Sequence, residues 1–248
     1  MLGIILLLVL FLCLVLLFEK KLSDVSGLIP TKKRILYFFS GVALSGILVV
    51  LNIAAETILF SLNWKMRDVH YLEPALVVWQ FFLSVFTEEL IFRGIIIYIL
   101  MRKLRKHTAM LISSALFGIY HWFSYEMFGA GLVPMLYVFL MTSLAGYCWT
   151  FAYLKSRTLL LPLGMHLGWN CINWLFSKKG TYGRGIFIRI NELPLTELQN
   201  LVLSLCKGLV PVAIMYLALK VYFASKNKPQ SVKFEKTHVE SADASLPR

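Results

Sequence analysis

Residues 74–101 read PALVVWQFFLSVFTEELIFRGIIIYILM, and the only charged side chains in this run are Glu88, Glu89 and Arg93. As a helix, at about 1.5 Å per residue, the run is long enough to cross a hydrocarbon core of roughly 30 Å. A charge at the centre of a spanning helix costs about 2.5–3.5 kcal/mol even on lenient insertion scales, so ionisable groups at that depth usually have partners and a task. The stretch therefore predicts a membrane helix with a polar site in its middle.

The rest of the chain agrees. Hydrophobic residues make up 58% of its 248 residues and charged ones only 15%, too apolar for a soluble globular domain. Seven apolar runs are long enough to be candidate spans: 2–18, 35–62, 74–101, 108–124, 132–154, 158–176 and 197–224. The predicted fold class is all-α: a polytopic transmembrane helix bundle of about seven spans with a four-helix catalytic core. Residues 1–73 form N-terminal transmembrane helices, 74–176 the core, 177–224 a loop and C-terminal helix or helices, and 225–248 a disordered polar tail. Asn52 and Glu56 inside the long second run point to a tilted or broken helix. Thr196-Glu197-Leu198-Gln199 reads as a capping box opening the last run, where Lys207, Gly208 and Pro211 suggest a short surface helix followed by a span.

The net charge of +12 is concentrated in short segments between apolar runs, where it sets topology and does not indicate nucleic acid. Alternate loops and the tail carry 16 Lys and Arg on one side and six on the other, which predicts a cytoplasmic C-terminus. Segment 177–196 puts Lys178, Lys179, Arg184 and Arg189 on the poorer side, and a re-entrant path there would change the count. The first run lacks a basic n-region and a small-residue cleavage site, so it reads as a retained anchor and not a signal peptide. Cys13, Cys148, Cys171 and Cys206 form no C-x-x-C pair and indicate neither disulfide nor zinc knuckle. The compact chain with short loops suggests a bacterial cell membrane.

Three motifs supply the chemistry: Glu88-Glu89-x-x-x-Arg93, Phe117-x-x-x-His121 and His166-x-x-x-Asn170. Glu89 and Arg93 are four apart and share a helix face, whereas Glu88 lies about 100° round from Glu89. Glu89 is thus expected to pair with Arg93, leaving Glu88 to meet other helices. Glu88, His121 and Asn170 are 13, 13 and 12 residues from the same predicted side, so three helices bring polar groups to one level. His166 is one turn shallower. Glu88, His121 and His166 are also the donor types of a His₂Glu zinc site, but no H-E-x-x-H is present and an arginine lies close to the carboxylates. The expectation is no metal and no cofactor.

In these motifs, EELIFR, FGIYH and HLGWN in order, the chain resembles the CAAX prenyl endopeptidase type II and bacteriocin-processing family, also called CPBP or Abi proteins. The resemblance covers about 74–176. It implies a glutamic-type intramembrane endopeptidase in which Glu88 with His121 activates a water, while His166 and Asn170 stabilise the oxyanion. Glu89, Arg93 and Phe117 would support them. The implied partners are a peptide or membrane-protein substrate and the lipid bilayer. Two rival classes remain: a catalytically silent scaffold or bacteriocin self-immunity protein acting by partner binding, and a proton-coupled transporter. The transporter reading fits less well, since no internal repeat is visible.

Overall fold

A computed structural model describes residues 27–226, apart from 28, 179, 181, 192 and 193. Its elements are α1 (Lys32–Leu59), β1 (Trp64–Met66), α2 (Glu73–Glu89), a π-helical segment Leu90–Ile96, α3 (Ile97–Lys103), α4 (Lys106–Ser124), α5 (Leu132–Ser156), α6 (Leu160–Leu175), β2 (Phe187–Arg189) and α7 (Glu197–Lys226). The backbone stays right-handed helical through both junctions of the π segment, so residues 73–103 form one helical path with a widened turn in its middle. That turn carries Arg93. Such π insertions often occur at functional sites, because they re-aim side chains within an otherwise regular helix.

Several helix ends follow from local sequence. The Thr31 hydroxyl accepts a hydrogen bond from the Arg34 backbone N–H at 3.3 Å and caps α1. Pro74 sits at the start of α2, where its missing N–H costs nothing. The predicted capping box forms: the Gln199 N–H donates to Thr196 Oγ1 at 3.3 Å, and the Thr196 N–H donates to Gln199 Oε1 at 2.9 Å.

Among the described residues, three helices are long and apolar enough to cross a membrane: Lys32–Leu59, Leu132–Ser156 and Glu197–Lys226. The expected count of about seven is not reached by this measure. The run at 2–18 lies outside the described residues, as does the tail beyond 226. Two further expectations are corrected. α1 is unbroken, because Asn52 and Glu56 find partners on α7: Asn52 Nδ2 donates to the Lys207 carbonyl at 3.4 Å, and Glu56 pairs with the Lys207 ammonium. α7 is likewise one helix that continues through Pro211. The fold is also not purely helical. β1 and β2 pair antiparallel, with Trp64 opposite Arg189 and Met66 opposite Phe187, so 177–196 is tied down by a ribbon to the α1–α2 connection.

The site is positioned by the close packing of α1 against α6. A Cβ at Gly41 would lie 2.5 Å from the Leu161 carbonyl oxygen, one at Gly168 2.7 Å from the Val42 oxygen, and one at Gly164 would collide with the Phe38 carbonyl. Gly164-x-x-x-Gly168 is thus a small-residue seam that lets two backbones touch. His166 lies between these glycines, so the seam fixes its depth. Phe92, Phe117, Trp149 and Met165 fill the adjoining core.

Candidate active site

Arg93 is fully buried, and its guanidinium is held from several directions. Nη1 donates to Glu89 Oε1 at 3.0 Å, Nη2 donates to the Gly146 carbonyl at 3.2 Å, and the cation lies 4.5 Å from the centre of the Phe117 ring. A side chain at Gly146 would press on Phe117 at 2.9 Å, so glycine there allows this approach. The predicted Glu89–Arg93 pair is present on one helix face, and Phe117 is packed against it.

His166 joins this network in a way the sequence did not reveal. Its Nδ1 lies 2.9 Å from the same Glu89 oxygen, and its ring stacks on Trp149 with centroids 4.0 Å apart. A carboxylate accepts, so Nδ1 carries a proton and Nε2 faces the other way. That Nε2 is 3.8 Å from Glu88 Oε2. His121 arrives from α4 in the same orientation: its Nδ1 is 2.8 Å from the Phe117 carbonyl, which can only accept, and its Nε2 is 4.0 Å from Glu88 Oε2. Two imidazoles on different helices therefore aim Nε2 at one carboxylate oxygen.

Glu88 itself is fixed from one side only. The Ser84 hydroxyl, one turn earlier on α2, donates to Oε1 at 3.1 Å, while Oε2 receives no hydrogen bond from the described residues. Ser84 was missed by the sequence reading; its signal was the four-residue spacing to Glu88. Trp149 and Gly146 on α5 were missed as well, and no local pattern announces them.

A cavity of about 280 Å³ opens beside these atoms and is lined by Glu88, His121, His166 and Asn170, with Ser84 and Tyr125. Glu89, Arg93 and Phe117 do not line it. Trp174, one turn beyond Asn170, also borders it and has a buried indole N–H with no partner among the described residues. No group of three or more His, Cys, Asp or Glu among the described residues is arranged to hold a metal ion. Cys148 is buried, Cys171 half-buried and Cys206 exposed, all as free thiols.

A polar cavity thus lies among apolar helices, with a carboxylate and two imidazoles converging beside it. Residues 71–172 match the family model of the type II CAAX prenyl endopeptidase Rce1-like proteins, a segment that contains all three motifs. The match agrees with the resemblance that the motifs had indicated. No curated protein and no solved structure matches the chain. The three apolar helices and this match support an integral membrane protein, and the match supports a protease-type enzyme in general.

Proposed function

We propose that the chain is an intramembrane, metal-independent endopeptidase that cleaves a peptide or membrane-protein segment with a water activated by Glu88 and His121. The observation that carries this reading is the unpartnered Glu88 Oε2, with two imidazole Nε2 atoms 3.8 and 4.0 Å away at the wall of an open cavity. Those separations are too long for direct hydrogen bonds and suit a bridging water. Ser84 supports the role by holding Oε1, which leaves Oε2 as the basic atom.

The chemistry proceeds in two steps. Water loses a proton to Glu88 or His121 as its oxygen attacks the scissile carbonyl. The resulting oxyanion accepts hydrogen bonds from Asn170 Nδ2 and His166 Nε2. For His166 this requires protons on both nitrogens, with Glu89 accepting from Nδ1. Collapse of the tetrahedral intermediate expels the amine, which takes up the proton held by Glu88 or His121. Fixed donors in a water-poor site stabilise such a charge strongly, since they need no reorganisation.

A silent scaffold accounts for the Arg93–Glu89–His166 network, which would staple helices equally well without catalysis. It gives no reason for Glu88 Oε2 to be buried beside a cavity with no hydrogen bond from the described residues. The basic loops favour a cytoplasmic C-terminus in a bacterial cell membrane, and the core helices 74–176 would hold the site between the flanking spans. The test is Glu88→Gln in purified protein: cleavage of membrane peptides should fall by about 10²–10⁴-fold, the range a general base supplies, while the melting temperature stays at the wild-type value. Undiminished cleavage would remove Glu88 from the chemistry.

A further inference from the structure

A second polar cavity, of about 190 Å³, lies between α1, α7 and the ribbon. On its wall the buried Glu56 carboxylate meets Lys207 Nζ at 2.5 Å and Arg189 Nη1 at 3.7 Å. Arg189 and Lys207 thus bring two cations to this one carboxylate. The contact of Arg189 with Glu56 is longer than a hydrogen bond, and its side chain is 28% exposed, which leaves the planar fork of donors open to a further acceptor. Trp64 and Phe176, packed edge to face at 5.2 Å, supply an apolar wall beside these charges.

Asn173 borders both cavities. It lies on α6 beyond His166 and Asn170, about 10 Å from His166 along the axis, the length of a few extended residues. A peptide bound at Glu88 and running along α6 therefore reaches the basic cavity with a group a few residues from its scissile bond.

We propose that this second cavity is a carboxylate-binding subsite of the substrate, in which Arg189 and Lys207 receive the carboxylate while Trp64 and Phe176 hold the apolar atoms next to it. The proposal rests on the endopeptidase reading and names what that enzyme recognises. Two sources share the chemistry: the free C-terminus of the peptide, or an Asp or Glu side chain. A guanidinium fork suits either, since both present two coplanar oxygens. Neither Arg189 nor Lys207 falls within the matched family segment.

The experiment uses full-length protein in phosphatidylcholine vesicles and a pool of random-sequence apolar peptides, made with and without Asp, each as the free acid and as the C-terminal amide. Binding is read on the Glu88→Gln protein and cleavage on the wild type, both by mass spectrometry. The acid forms are expected to bind about tenfold or more tightly than the amides, as for a charge-assisted contact. Arg189→Gln should bring the ratio near one and Arg189→Lys restore part of it. Lys65→Gln, which removes a ribbon cation outside the cavity, should leave the ratio intact. If amidated peptides with Asp bind as well as free acids, and lose this with Arg189→Gln, the side chain is the source and the subsite stands. Equal binding of all forms, or discrimination that survives Arg189→Gln in a protein of wild-type melting temperature, overturns it. So does abolition of the discrimination by phosphatidylglycerol retained through Arg189, which would make the cavity a lipid headgroup site. Discrimination without Glu88-dependent cleavage would break the endopeptidase reading alone.

Discussion

The carboxylates of Glu89 and Glu56 are both buried and both paired with cations, yet their surroundings differ. Around Glu89 everything is dry: Arg93 is four residues away on the same helical path, both side chains are 1% exposed, and His166 shares the same oxygen. Around Glu56 the cations come from β2 and α7, and they remain 28% and 37% exposed. The first cluster is closed and can only hold other groups in place. The second keeps a face open to a cavity and to screening by solvent. Burial of the carboxylate alone therefore does not tell what an ion pair does; exposure of its partner does.

The largest expected effect tests this contrast directly. Glu89→Ala leaves Arg93 charged and fully buried and removes the acceptor that orients His166, and breaking such a pair typically costs about 3–5 kcal/mol. Glu56→Ala leaves cations that can turn to water, so its cost should stay near the roughly 0–1 kcal/mol of exposed pairs. Thermal unfolding of the two purified mutants compares them. A Glu56 mutant that loses as much stability as the Glu89 mutant would erase the distinction between closed and open clusters.

Next in size is the division between cavity wall and support. Asn170 lines the cavity and is half-buried, whereas Glu89 and Arg93 lie behind it. As an oxyanion donor it acts mainly in the transition state, so Asn170→Ala should lower turnover by about 10²–10³-fold with little change in substrate binding. As a core polar residue it would instead shift stability by roughly 1–3 kcal/mol. Turnover, affinity and melting temperature on one preparation separate the two, and unchanged turnover beside a lowered melting temperature would take Asn170 out of the site.

What could be read from the sequence follows the same local logic. The Glu89–Arg93 pair, the separate direction of Glu88 and the capping box at Thr196 are set by spacings of three or four residues, which helical geometry converts into contacts. Glu56 looked like a break in a long span because its partners are more than a hundred positions away, on Arg189 and Lys207. The β-ribbon was missed for a like reason: three-residue strands in polar loops carry too little alternation to register, and their pairing joins 64–66 to 187–189. His166 was read as a donor alongside Asn170, but its Nδ1 bond to Glu89 is a contact between α6 and α2 that no single-helix pattern contains. Ser84 was the one local signal passed over, since a serine one turn before a glutamate is common in helices without consequence.

The smallest expected effect is no effect at all, and it bears on the chemistry around Glu88. Both histidines have Nδ1 engaged, one by a backbone carbonyl and one by a carboxylate, with Nε2 turned to Glu88. Metal-ligating histidines are held the same way, so this arrangement suits a zinc ligand as well as a base. Spacing favours the base: ligands about 2.0–2.1 Å from a tetrahedral zinc stand roughly 3.3 Å from one another, whereas the two Nε2 atoms lie 3.8 and 4.0 Å from Glu88 Oε2. The fully buried Arg93 adds a positive charge close behind, which repels a dication and does not hinder a neutral water. Exhaustive chelation should therefore leave cleavage at the untreated rate, and the purified protein should contain no stoichiometric zinc. Activity that vanishes with the chelator and returns with added zinc would turn His121 and His166 into ligands, and Glu88 into a third ligand or the base beside a metal-bound water.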